Sequence, residues 1–257
     1  MAPPTPPPML EVCVDSVASA VTAQAAGAHR VELCDNLVEG GTTPSAGMIK
    51  ACRAHLTIPL HVLIRPRRGD FLYSDLEYDV MRQDIEVARQ LGADGVVTGV
   101  LLPDGHIDKA RTHALVQKAR PMSVTFHRAF DLTPDPLHAL ADLLELGVDR
   151  LLTSGQRPTA ADGAELIRQL RVAARGKMAI MPGGGINEEN ITALIKATGA
   201  SEFHASARQL VASGMEFKRE TVPMGGTLLP TEYAFMAASG HRIQTLLRLA
   251  QSQEPVE

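Results

Sequence analysis

The sequence predicts an α/β protein: a single domain built as a parallel, eight-stranded (β/α)8 TIM barrel with a carboxyl-terminal extension. Three observations carry that reading. Apolar strand-like runs recur at residues 10–14, 30–34, 60–64, 95–100, 123–127, 150–153, 178–182 and 202–205. Segments of helical period separate them. One junction repeats at the helix exits, as Gly27-Ala28, Gly92-Ala93, Gly147-Val148 and Gly199-Ala200, each followed shortly by a strand-like run. Glycine there accepts the left-handed conformation that ends a helix, and the small apolar residue can pack beneath it as the chain turns into the sheet. A doubly wound open sheet would want fewer strands and a topological switch point.

Taken in order, residues 1–8 (Met-Ala-Pro-Pro-Thr-Pro-Pro-Pro) read as a short, extended, disordered tail. The first two strands carry Glu11-Val12-Cys13 and Glu32-Leu33-Cys34, the same order of residues 21 positions apart. One helix-like stretch lies between them, the spacing of parallel strands joined by a crossover. Side chains alternate along a strand, so the Glu and Cys of each strand share a face. Helical period appears as Val17, Val21 and Ala25, as Met81, Ile85 and Ala88, and as Leu137, Leu140 and Leu144. Asp15-Ser16, Ser74-Asp75 and Pro134-Asp135-Pro136 supply helix starts. Residues 9–208 thus form the barrel domain. In residues 209–257, a loop over 215–233 precedes an amphipathic helix over 239–250 with Ile243, Leu246, Leu247 and Ala250 on one side.

Composition narrows the function. A net charge of −4 without a basic block or interleaved aromatic stripe disfavours nucleic acid. No apolar run approaches membrane-spanning length, and the first residues lack the pattern of a signal peptide. Three cysteines (Cys13, Cys34, Cys52) in a chain this long argue against a disulfide framework and for a reducing compartment. A cytoplasmic protein is expected, with the nucleus as a second location.

Barrel function sits at the carboxyl ends of the strands. Gly183-Gly184-Gly185 follows a strand and precedes a helix, so its amides are candidates for holding an anion; a tight turn without a ligand is the competing reading. Arg65 and Arg128 end different strands and could clamp a carboxylate or phosphate, or could neutralise Glu11 and Glu32. Ser154, His204 and Ser206 lie at the same end and join the anion- or substrate-binding set. His127 and His204 are candidate bases or ligands, against a role as hydrogen-bonded core residues; the remaining histidines read as surface or packing residues. If the protein is an enzyme, Glu11, Glu32 or His127 would move the proton, and a Schiff base is disfavoured because the one nearby lysine, Lys177, starts its strand. Two thiolates on neighbouring strands could meet one copper(I) ion, although barrel stagger could offset them. Zinc would want about four ligands, and no second pair is evident. The alternative is that Cys13 and Cys34 are small buried hydrophobes; Cys52 reads as packing.

Taken together, these strings resemble the CutC family, named for copper homeostasis. The resemblance rests on Glu11-Val12-Cys13-Val14-Asp15-Ser16, Glu32-Leu33-Cys34, Glu39-Gly40-Gly41-Thr42-Thr43-Pro44-Ser45, Ile64-Arg65-Pro66-Arg67 and Gly69-Asp70-Phe71. It continues through Thr125-Phe126-His127-Arg128-Ala129-Phe130-Asp131, Leu152-Thr153-Ser154-Gly155, Met181-Pro182-Gly183-Gly184-Gly185 and Glu202-Phe203-His204. The Cys13 and Cys34 pair and the longer carboxyl-terminal region resemble an animal-type member. The resemblance implies a TIM barrel, a cytoplasmic role in copper handling, one copper(I) ion at Cys13 and Cys34, and a homo-oligomer, dimer or tetramer. Arg67-Arg68 departs from the family's usual pattern and implies a more basic loop after the third strand. The family label names a physiological role, not a reaction. An isomerase- or lyase-type barrel enzyme acting on a small phosphorylated or carboxylated metabolite is therefore the alternative expectation.

Overall fold

The computed structural model describes residues 8–222 and 232–251. Eight parallel strands form the barrel: β1 (Met9–Val14), β2 (Arg30–Leu33), β3 (Leu60–Leu63), β4 (Gly95–Thr98), β5 (Ser123–Phe126), β6 (Arg150–Thr153), β7 (Ala179–Pro182) and β8 (Glu202–Ala205). They pair in the order β7-β6-β5-β4-β3-β2-β1-β8, and a single parallel bridge from Gly183 to His204 brings the two ends together. All eight expected runs are strands, each shifted or trimmed by no more than two residues.

Local chemistry explains the seven crossover helices, α1 (Val17–Ala25), α2 (Ala46–His55), α3 (Asp75–Gln90), α4 (Lys109–Ala119), α5 (Pro136–Glu145), α6 (Ala164–Ala174) and α7 (Ile191–Thr198). Ser16 accepts the Ser19 N–H at the start of α1, and Ser74 and Glu77 form a reciprocal capping box on α3. Asp135 caps α5 with Pro136 in its first turn. Gly27, Gly92, Gly147 and Gly199 all take positive φ at helix exits, as the repeated junction predicts.

The buried faces agree with the sequence where a helix is clearly amphipathic. Met81, Ile85 and Ala88 of α3 are all in the core. In α1 the buried face is instead Ser19, Ala20 and Ala23, with Val21 exposed. Its smallest residues, rather than its valines, allow the closest approach to the sheet. In α5, Leu137 is exposed while Ala139, Leu140 and Leu143 are buried.

Beyond β8 two short strands flank the segment expected as a loop. β9 (Arg208–Ala212) and β10 (Ala234–Ala238) pair antiparallel as a separate two-stranded ribbon. Neither strand shows a clean alternation of buried and exposed residues, so neither is legible as a strand by pattern. Pro223, Gly225, Gly226 and Pro230, and the tail at residues 1–7, lie outside the described residues. The last helix, α8 (Gly240–Gln251), buries the predicted Ile243, Leu246, Leu247 and Ala250 and packs against α7 and α1. It thereby fills the eighth helical position of the ring.

Candidate functional site

β1 lies between β2 and β8, and its interior-facing side chains meet those of both neighbours. Cys13 is level with Glu32, and Glu11 is level with His204. Cys34 follows the end of β2, two residues beyond Glu32, so the two cysteines are diagonal rather than opposed. Their sulfurs nevertheless lie 3.8 Å apart, and Cys34 Sγ is 3.4 Å from Glu32 Oε2. All three residues are buried, and their donor atoms lie within 4.8 Å of one another. The sulfur separation is well beyond an S–S bond of about 2.05 Å, and all three cysteines are free.

The carboxylates sit in different electrostatic settings. Glu11 is ion-paired to Arg30, and His204 Nδ1 lies 2.7 Å from its other oxygen. Arg30 also holds Glu202 at 2.7 Å, and Arg150 joins the same carboxylate. Burial alone would raise the Glu11 pKa, but Arg30 and His204 overcome that and hold it well below the usual carboxylate range. Glu32 is driven the other way, by burial and by the Cys13 charge. A hydrogen bond from Cys34, opposed by burial and helped by His204, lowers the Cys13 pKa to about 5. Burial and the Cys13 charge raise that of Cys34 well above the ordinary thiol value. Burial would lower the His204 pKa, but Glu32, Cys13 and Glu11 raise it well above normal. The centre thus pairs one thiolate with one imidazolium and retains a proton on the second thiol.

Above this centre the barrel mouth opens into a cavity of about 350 Å³. It gathers Cys13, Glu32, Cys34, Arg65, His127, Arg128 and His204 from the sequence-identified set. Glu11 lies beneath it. Ser154, Gly183, Gly184, Gly185 and Ser206 are not among its lining residues. Gly183 closes the barrel, because a Cβ there would collide with Leu152 Cδ1 and press on His204. Gly184 and Gly185 have positive φ, and their carbonyls accept from Ala160 N and Asn190 Nδ2. Ser154 is fully buried in a network with Asp131, Arg128 and the Arg157 carbonyl. Ser206 is exposed.

Neither mouth arginine neutralises Glu11 or Glu32. Arg65 donates to the carbonyls of Gly41 and Gly69 and lies over the Phe71 ring. Arg128 pairs with Asp131 at 2.8 Å. Arg30 supplies the expected neutralisation, and sequence reasoning passed over it. It shares strand parity with Glu32 and Cys34, so period-two alternation alone places it on the interior face. His127 is buried against Phe71, and its Nδ1 accepts the Ala129 N–H. Burial, reinforced by Arg65, lowers its pKa to about 3. His61, inside the barrel 3.9 Å from Glu11, is lowered by burial to about 4. The two extra arginines after β3 do not leave a bare basic loop: Arg67 pairs with Glu77 and Asp70, and Arg68 with Glu39.

The family model described as the CutC family matches residues 8–209. The chain is 50% identical over 242 residues to the copper homeostasis protein cutC homolog of Mus musculus, covering 94% of this chain and 89% of that protein. It is 48% identical over 244 residues to the Homo sapiens counterpart, covering 95% and 89%. A CutC family protein of Chromobacterium violaceum is 52% identical over 238 residues, covering 93% and 96%, so animal and bacterial relatives match equally well. Among solved structures, a copper homeostasis protein CutC from Streptococcus agalactiae superposes with a TM-score of 0.74 at 35% identity, covering 77% of this chain and 98% of that one. A monomeric form of phosphoribosylanthranilate isomerase from Thermotoga maritima shares the fold alone, with a TM-score of 0.58 at 12% identity, covering 95% and 99%.

Proposed function

Because the chain belongs to the CutC family, we propose that it serves copper homeostasis by binding one copper(I) ion between Cys13 and Cys34. The observation that carries this reading is the pair of buried sulfurs 3.8 Å apart with a Glu32 oxygen beside them. Thiolates select soft ions, and one ion can bridge such a span because metal–sulfur bonds run about 2.3 Å, the value for zinc. Three convergent donors suit an ion of low coordination number better than zinc, which takes about four.

The surrounding residues prepare the site. Cys13 is already ionised near neutrality, balanced by His204. Cys34, whose proton burial and the Cys13 charge hold in place, must release it on binding. The working location on this reading is the cytosol, with the nucleus as a second compartment. Free thiols and the absence, among the described residues, of any helix long and apolar enough to cross a membrane support it. We further propose a homo-oligomer, dimer or tetramer, supported by the exposed Leu210, Phe217 and Phe235 around the β9–β10 ribbon. Gel filtration of the intact chain at several concentrations tests it; a monomer throughout rejects it.

Competitive titration of copper(I) into the reduced protein tests the metal reading. Wild type should bind one equivalent tightly, and the Cys13→Ala, Cys34→Ala double variant should not. Equal affinities would remove the proposal.

A further inference from the structure

We propose that residues 36–41 form a strap that gates access to the dithiol, and that Arg65 is the positioning residue that latches it shut. The gate rests on the copper reading for its purpose, and on contacts alone for its existence.

The chain leaves β2 at Cys34 and doubles back at once. Asp35 and Thr42 exchange both backbone hydrogen bonds, at 2.9 and 2.8 Å, and so close the base of a short loop. Leu37–Glu39 make a single 3-10 turn within it, with Asn36 on one side and Gly40 and Gly41 on the other in the left-handed region. Gly41 comes so close to the sheet that a Cβ there would meet Leu63 Cδ2 at 2.8 Å and Cys34 Sγ at 3.6 Å. Leu37 packs on the small cluster of Cys13, Cys34, Leu63 and Val97. Leu37 and Gly40 also line the mouth cavity. Under this cover Cys34 is 1% exposed, against 7% for Cys13. One ion must touch both sulfurs, so the strap controls access to the second of them.

Two ties hold the strap to the loop after β3. In the first, Arg65 is buried and donates from Nη1 to the carbonyls of Glu39 at 3.3 Å and Gly41 at 2.7 Å. Its Nη2 donates to the Gly69 carbonyl at 2.9 Å. One planar guanidinium thus spans two loops, a geometry that a lysine ammonium does not reproduce. The second tie is the Arg68–Glu39 ion pair at 2.9 Å, with Arg68 68% exposed. Hydrogen bonds from a buried cation contribute more than a screened surface pair, so Arg65 dominates. Its acceptors are neutral carbonyls, so the buried latch opens without separating opposite charges. The left-handed residues at both ends of the strap supply hinges. A strap that closes equally over the empty and the loaded site sets rates in both directions and leaves affinity unchanged.

The experiment labels the reduced, metal-free, full-length chain with N-ethylmaleimide and follows each cysteine by mass spectrometry at early times. The thiol adds across the maleimide double bond, and no group leaves. Cys52, buried in the main core rather than in the dithiol cluster, reports global opening. Arg65→Gln should speed labelling of Cys34 roughly tenfold while Cys52 keeps its wild-type rate. Arg65→Lys should restore part of the protection, and Arg68→Ala should change it by less than about twofold. Cys34 and Cys52 quickening together, or no change at Cys34, would overturn the latch. Should Arg65→Gln fail to fold, Gly40→Ala decides, because its Cβ would sit 3.3 Å from Arg65 Nη1. Selective quickening of Cys34 in that variant supports the latch, and an unchanged rate rejects it. Copper(I) passed from a chelator separates this inference from the copper reading. It should enter and leave Arg65→Gln faster than wild type by the same factor, with affinity held within about threefold. A change in only one of the two rates would place Arg65 on the bound ion and overturn the gate. A wild type that takes up no copper(I) removes the copper reading, and the labelling pattern still decides the latch.

Discussion

Cys13 and Cys34 are diagonal across β1 and β2, yet their sulfurs meet at 3.8 Å, because Cys13 is level with Glu32 and Cys34 lies two residues further toward the mouth. The diagonal has an electrostatic consequence. The two thiols share one proton, and Glu32 sits beneath Cys34 on the same strand face. Copper binding at this pair should therefore depend on pH in two stages.

Between about pH 6 and 8 only Cys34 should lose a proton on binding, because Cys13 titrates near about 5. Copper(I) affinity should rise roughly tenfold per pH unit there, not a hundredfold, and the slope should steepen below about pH 5. Competition titrations at three pH values measure it; a two-proton slope at neutral pH would show that both thiols start protonated.

Glu11 and Arg30 form a fully buried pair whose removal from one side leaves the other uncompensated. Glu11→Gln should destabilise the fold by about 3 kcal/mol in urea denaturation, softened because Arg30 keeps Glu202. The depressed Glu11 pKa gives stability that is present above its unfolded value and lost as pH falls below it, so the gap between wild type and variant should narrow in acid.

His127 offers a cleaner pH test. Its folded pKa, about 3, lies below the unfolded value of about 6.5. Its contribution to stability is therefore complete above about pH 6.5 and drains away as pH falls toward the folded value. His127→Phe should lose less stability than wild type on going from about pH 7 to about pH 5, by about 1–2 kcal/mol. The other buried titrating groups cancel in this comparison. Parallel losses in the two proteins would mean that the ring is not held neutral.

Gly183 closes the barrel between β7 and β8, and any Cβ there overlaps Leu152. Gly183→Ala should cost about 1–3 kcal/mol by overpacking, and Leu152→Ala in the same chain should recover part of it. Additive losses in the double variant would place the clash elsewhere.

The periodic features of this fold were readable in advance. Eight apolar runs, the Ser16, Ser74 and Asp135 caps, and the glycine at four helix exits are all local signals. Each depends on residues a few positions apart. Period-two alternation likewise put Glu11 and Cys13 on one face of their strand, and Glu32 and Cys34 on one face of theirs. The inward face of α1 was not legible because small residues, Ser19, Ala20 and Ala23, pack against the barrel in place of its valines. The β9–β10 ribbon was missed because its strands do not alternate.

What the sequence alone determined is the barrel and the pairing of an acid with a sulfur on one face of each of its first two strands. What only the tertiary structure decided is who partners whom: Arg30 rather than Arg65 or Arg128 for Glu11, His204 beside Cys13, and an Nε2 of His127 without an acceptor. Local periods specify which side of a strand a residue occupies. The stagger of neighbouring strands and the competition among buried charges set distances, and those are properties of segments far apart in the chain.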